Sequence, residues 1–383
     1  LGGMTLAQLG ADVIRFDQIG GGLDYGRWPL AGNGRSLFWA GMNKGKRSIL
    51  LDLRSPAGAE LAAALVTAPG EDGGMFLTNF PPRGWMDPAA LRARRSDLIM
   101  LVLSGNADGS SEVDYTVNPA TGWPSATGPR DAGGPVNSLL PAWDIAAGHL
   151  VAVGLLAAER RRRRTGEGSL IDVALADVAF AMTANMGRLA AAQLGQPDPP
   201  QDGNYVYGAY GVDLPVADGR RIMLVGLTDR QWASVRAVTG TGAALDAAAA
   251  ERGIDLSDEG ERFRARELIT AIIAPWFAAR TLAQLESELA GTGVAWGLYR
   301  TFSQVAAEEP RVTANPLFAA VEQPGIGSYL MPGSPLRFDS RHGPIRPAPT
   351  PGEHTDEVLT GVLGLSGAEV GRLHDAGTIA GAA

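Results

Sequence analysis

Short apolar runs alternate with amphipathic stretches along the first half of the chain, and this alternation predicts strands and helices in turn. "MTLAQLG" reads as a helix, and "ADVIRFD" and "RSILLDL" as strands. "SPAGAELAAALVTA" follows as a helix with Ser55 at its N-cap and Pro56 just inside. "GGMFLTNF" is a strand, "DPAALRARRSD" a helix and "LIMLVLSG" a strand. Apolar strands without polar interruption, separated by helices, indicate an α/β protein with a parallel, doubly wound sheet. A helix packed on such a sheet normally follows a strand, so a strand and turn of roughly twenty residues are expected ahead of "LGGMTLAQLG". A polar, Gly-rich passage fills 105–138, and a long apolar helix runs from about Asp144 to Arg164. "GSLIDVALADVAFAMTANMGRLAAAQLG" adds a strand and further helix.

The pattern changes at "QPDPPQDGNYVYGAYG" (196–211), which reads as a linker and loop. Beyond it "GRRIMLVGL" is a strand, and "TDRQWASVRAVTG", "ERFRARELITAIIAPWFAAR" and "TLAQLESELAGTG" are amphipathic helices. The expected layout is a large domain over 1–195, a linker with a glycine loop over 196–212, a small α/β domain over 213–315, and a linker returning to the large domain over 316–383. In that return, "GEHTDEVL" opens a helix with Thr355 or His354 as the capping group.

Composition narrows the function. A net charge of −8 argues against nucleic acid as a partner, so an anionic ligand needs a local basic pocket. The absence of Cys excludes disulfides, thiolate catalysis and Cys-ligated metal, and suits the cytosol. The most apolar window, 139–158, is broken by Asp144 and His149, which argues against a membrane span. The four His show no metal-ligand spacing, and no metal is expected. "IGGGLDYG" (19–26) fails the dinucleotide fingerprint, because the next Gly falls at 26 and no helix follows.

Four stretches carry candidate chemistry. Asp144, at the mouth of the long helix, reads either as an N-cap or as a carboxylate nucleophile, already ionised near neutral pH and favoured by the helix N-terminus. Arg160–Arg164 reads as the solvated end of the same helix. "NKGKRSILLDL" and Arg15 gather positive charge beside strand ends, where a polyanion or plain solvent fits equally. "GNYVYGAYG" is a turn or a mobile lid.

Taken in order and spacing, "LGADVIRFD", "NKGKRSILLDL", "TNFPPRGW", "DYTVNPATG", "AWDIAAG…GLLAAERRRRRTGEG", "LIDVALADVA" and "GEHTDEVLTGVLGLS" resemble the family III CoA-transferases over essentially the whole chain. The resemblance implies a Rossmann-like large domain, a smaller α/β domain, and ring-shaped chains interlocked as a homodimer. It implies that Asp144 is the nucleophile, attacking an acyl-CoA thioester and passing through an aspartyl-CoA thioester. Gly208, Tyr210 and Gly211 match the family's glycine-rich loop. Arg15, Lys46, Arg47, Asn79 and Phe80 match positions around the nucleotide of CoA, and Arg83 lies in "PPRGW", where the family more commonly has Gly-Pro-Gly. Coenzyme A enters as part of the substrate, with no permanently bound cofactor. "LGGMTLAQLGADVIRFDQIGGGLDYGRWP", "EVDYTVNP", "GNYVYGAYG" and "EQPGIGSYLMPGSPL" resemble most the members that move CoA between the two carboxyl groups of mesaconate. The alternatives are intermolecular transfer between two acids, a 2-methylacyl-CoA racemase, and a non-catalytic acyl-CoA-binding protein. Racemases carry His immediately before the Asp of "VDYTVNP"; here that residue is Val113.

Overall fold

The computed structural model describes residues 1–382, which fall into two compact units. The first comprises 1–121, 138–189 and 310–382; the second comprises 122–137 and 190–309. The sequence reading places 122–137 in the large domain. The structure groups it with the second unit, where Asp202 binds both Arg130 and Arg266 and the Gln201 amide donates to the carbonyls of Thr127 (2.7 Å) and Gly134 (2.8 Å).

In the first unit α1 (Gly2–Gln8) precedes β1 (Ile14–Gln18), and α2 (Leu37–Met42) precedes β2 (Arg47–Leu51). Then come α3 (Pro56–Val66), β3 (Met75–Thr78), α4 (Pro88–Arg94) and β4 (Ile99–Ser104). Ser55 caps α3 as expected, accepting from the Gly58 amide at 3.0 Å. β1 and β2 pair in parallel, as do β3 and β4, and β4 pairs in parallel with β5 (Ser169–Ala174). The expected single sheet is thus observed as two three-stranded sheets. β1 and β3 are not hydrogen-bonded; instead Phe16 and Phe76 stack at 6.1 Å with Trp85 against both.

β4 shows why its sequence is uninterrupted. Met100 and Val102 face α3 and α4, while Ile99 and Leu101 face the long helix, so successive side chains are buried on opposite faces. α5 (Asp114–Ala120) occupies part of the passage read as loop, and α6 (Trp123–Ala126) lies in the second unit. α7 (Ala142–Thr165) lays Val151, Leu155 and Ala158 on the sheet and stops at Gly166, whose φ of 73° only glycine adopts readily. α7 is also long and apolar enough to cross a membrane by length and composition; one face, Val151, Leu155 and Ala158, packs on the sheet, while Leu150, Val153 and Leu156 are exposed.

Arg162 corrects the solvated-end reading of the Arg run. Its guanidinium is buried and donates to the carbonyls of Gly73 (2.8 Å) and Glu71 (3.2 Å), while Arg160, Arg161, Arg163 and Arg164 are exposed.

α8 (Leu175–Asn185) returns over α7, and α9 (Arg188–Gln193) leads into the second unit. There β6 (Tyr210–Pro215), β7 (Arg221–Gly226) and β8 (Ala295–Leu298) form an antiparallel sheet. It is covered by α10 (Asp229–Thr239), α11 (Gly242–Ala250), α12 (Glu259–Arg264), α13 (Arg266–Ala278) and α14 (Leu282–Leu289). The stretch read as one helix over 261–280 breaks at Ala265 into α12 and α13.

The chain re-enters the first unit at Pro310 and forms the β9 (Phe318–Gln323) and β10 (Gly327–Pro332) hairpin and the short β11 (Arg337–Phe338) and β12 (Arg341–His342) pair. α15 (Phe302–Glu308) and α16 (Pro310–Thr313) precede that hairpin. α17 (Thr355–Leu363), α18 (Gly367–Asp375) and β13 (Ile379–Ala380) close the unit, β13 pairing antiparallel with β2. Neither Thr355 nor His354 caps α17. Thr355 Oγ accepts from the Leu50 amide and donates to the Ala380 carbonyl, and His354 Nδ1 accepts from the Ser48 amide. Both residues bind strands instead.

Candidate active site

The N-cap position of α7 is Pro141, which has no side-chain acceptor to offer. The first turn is nonetheless capped, from another helix. Asp114 lies in the first turn of α5 with only 3% of its surface exposed, and its Oδ2 accepts from the amides of Trp143 (2.8 Å) and Asp144 (3.0 Å). Those are the second and third residues of α7, the donors that an N-cap side chain normally takes. The Trp143 indole fixes the same junction by donating to Asn118 Oδ1 at 2.8 Å. Gly105 allows the approach to α5, because a Cβ there would lie 2.1 Å from the Glu112 amide nitrogen.

Asp144 is therefore not the cap. Its carboxylate accepts no hydrogen bond among the described residues and keeps an exposed face. The carboxyl is raised above its ordinary value, first by partial desolvation and then by the charge of Asp114, with Arg27 opposing the rise. This is opposite in direction to the sequence-based expectation that the helix N-terminus would favour the anion; burial is the larger cause and the Asp114 charge the second. A free, basic carboxylate can attack an electron-poor carbonyl. Arg27 stacks on Phe38 at 4.3 Å, and sequence reasoning missed it along with Asp114. "VDYTVNP" holds Asp114, but read as loop the stretch gave it no helix to cap.

The nucleotide candidates divide into three groups. Arg15 and Lys46 meet at Asn43 Oδ1, at 3.1 and 2.8 Å, and Arg15 also binds Asp17 (2.8 Å) and Asp24 (3.2 Å). Burial, then the charge of Arg15, pushes the Lys46 ammonium down to about 8. Burial also lowers Lys44, the chain's other lysine, which donates to the Pro332 carbonyl at 2.9 Å. Arg47 stands apart at the amino end of β2, paired with Asp12 and Glu357. Asn79, Phe80 and Arg83 follow the carboxyl end of β3 with exposed side chains; the Phe80 residue is 66% exposed.

Gly208, Tyr210 and Gly211 lie in the second unit. Gly208, at φ 81°, takes the third place of the turn 206–209, where left-handed backbone is required. Its amide makes no hydrogen bond among the described residues. Gly211, the second residue of β6, has no room for a side chain, since a Cβ would lie 2.7 Å from Val206. Tyr210 is fully buried in the core of the second unit. Its hydroxyl bonds Thr270 at 3.0 Å, and burial holds the phenol well above its ordinary range. This packing gives Tyr210 a structural role: Tyr210→Phe is expected to keep turnover within about twofold and to cost about 1 kcal/mol in a denaturant titration. A large loss of turnover without loss of stability would overturn that role.

Comparison with known proteins places the chain in a family. The model described as CoA-transferase family III matches residues 1–355. A Chloroflexus aurantiacus protein described as 2-methylfumaryl-CoA isomerase is 56% identical, spanning 100% of this chain and 94% of its own. A succinate–glutarate CoA-transferase of Agrobacterium fabrum is 30% identical over 93% of this chain and 90% of its own. A CaiB/BaiF family protein from Brucella suis shares the fold, with a TM-score of 0.75 at 24% identity over 94% of each chain.

Proposed function

The chain belongs to CoA-transferase family III, and from that premise we propose that it moves coenzyme A between the two carboxyl groups of one mesaconate (2-methylfumarate) skeleton. The observation that carries this reading is the 56% identity, along the whole chain, to a protein described as 2-methylfumaryl-CoA isomerase.

Asp144 is the nucleophile. Its carboxylate oxygen attacks the thioester carbonyl, the C–S bond breaks, and the electron pair leaves with the CoA thiolate, giving a mixed anhydride. The thiolate then attacks the aspartyl carbonyl, forming aspartyl-CoA and releasing the first carboxylate. The second carboxylate of the same acid attacks aspartyl-CoA and expels the thiolate. Thiolate attack on the acyl carbonyl of the new anhydride completes the transfer and restores Asp144. Every step exchanges acyl carriers of comparable reactivity, so water must be kept out. The Gly208–Gly211 loop is proposed to serve that exclusion and to offer amide donors to the tetrahedral oxyanions. The exposed Phe80 ring suits packing on adenine, with Asn79 beside it and Arg83 as a phosphate partner. A homodimer is part of the proposal. The outward row Leu150, Val153 and Leu156 on α7, with Met186 after α8, supports it as apolar surface in need of a partner.

The succinate–glutarate relative favours one competing reading, transfer between two separate acids. Labelled free mesaconate, added during turnover of the unlabelled thioester, separates the two. Intramolecular transfer predicts product almost free of label; label entering product as fast as turnover would reject it. Racemisation lacks support because Val113 stands where that chemistry needs a His, and its side chain cannot accept a proton.

A further inference from the structure

Resting on the assignment of Asp144 as nucleophile, we propose that Asp114 is its positioning residue: its buried carboxylate takes up the leading amides of α7 and so leaves the Asp144 carboxylate without those donors and driven toward its acylated form. An acidic residue three places into a helix would ordinarily draw its stabilisation from the first-turn amides and the positive end of the helix dipole. Here a second carboxylate holds the Trp143 and Asp144 amides through a single oxygen. Asp144 thus loses those donors and gains a negative neighbour. Acylation turns Asp144 from an anion into a neutral anhydride or thioester and moves the negative charge to the departing thiolate, away from Asp114. The repulsion between the two carboxylates falls away in the covalent state, so the pair destabilises the resting enzyme more than the intermediate. The charged side chains facing Asp144 are Asp114 on α5 and Arg27. Arg27 favours the anion, so the upward push comes from partial desolvation together with Asp114.

Two variants separate charge from capping. Asp114→Asn keeps an oxygen that can accept from both amides but carries no charge. Asp114→Ala removes both. The Asn variant is expected to lose about tenfold in kcat with KM within about twofold. The acid limb of its kcat profile should move to lower pH, and less enzyme should be trapped by hydroxylamine as the Asp144 hydroxamate. The Ala variant should show the same loss and a lower melting temperature besides. An Asn variant with wild-type kcat, acid limb and trapped fraction would leave Asp114 only a cap and overturn the proposal. Should the Ala variant fail to fold, the Asn variant still decides. Absence of the Asp144 hydroxamate in the wild-type enzyme would instead defeat the nucleophile assignment itself, which keeps the two failures distinct.

Discussion

Asp144→Ala is expected to lower turnover by at least about 10⁴-fold while leaving the protein folded and able to bind acyl-CoA. The loss is large because the carboxylate accepts the acyl group and then CoA, and no other side chain can be acylated in its place without rebuilding the site. Stability should hold, because among the described residues Asp144 neither caps α7 nor accepts a hydrogen bond; Asp114 continues to hold the first turn. Removing one member of a like-charged pair is expected to change stability by no more than about 0.5 kcal/mol. Steady-state kinetics, acyl-CoA titration and mass spectrometry after hydroxylamine give the three readings. A variant that turns over at the wild-type rate would end the covalent mechanism. A variant that binds nothing would show that Asp144 has a structural role that its geometry does not suggest.

Arg162→Ala should be the most destabilising change in the Arg run, by about 3 kcal/mol, with Arg160→Ala or Arg164→Ala close to neutral. Arg162 joins α7 to the turn before β3 and to the strand-entry segment before β4, by way of the carbonyls of Glu71, Gly73 and Asp97 and an ion pair with Asp97 at 3.6 Å. Truncation leaves those carbonyls without their donor and opens a cavity at the end of the sheet. Urea titration of the variants checks the ordering. Equal effects along the run would show that the burial of Arg162 contributes little.

The strands and most helices of the first unit were legible because their signals are local. Ser55 with Pro56, the apolar run of β4, and the Gly166 stop each act within a few residues. Asp144 was legible as a residue but not as an environment. Its character depends on Asp114, thirty residues earlier and on a helix hidden in a polar passage. Arg162 was misread for a related reason: five identical residues in a row carry no mark of which one turns inward. Tyr210 resembled a loop residue because its glycine neighbours dominate the local pattern, while its burial is set by β7, α10 and α13. The nucleotide candidates matched a motif, but Arg47 is held in ion pairs by Asp12 and by Glu357, the latter more than three hundred residues away in the chain.

The pairing of β13 with β2 has a consequence for biosynthesis. Ile379 and Ala380 lie against Leu51 and Leu50, and Thr355 and His354 bind the same strand. During translation the ribosome releases β2 early but its last neighbour only some three hundred residues later. One edge of that strand therefore waits, apolar and unpaired, while 190–309 can already collapse on its own core. The nascent large unit is most open to mispairing and to chaperone capture in that interval, and it becomes secure only when the final strand is laid down.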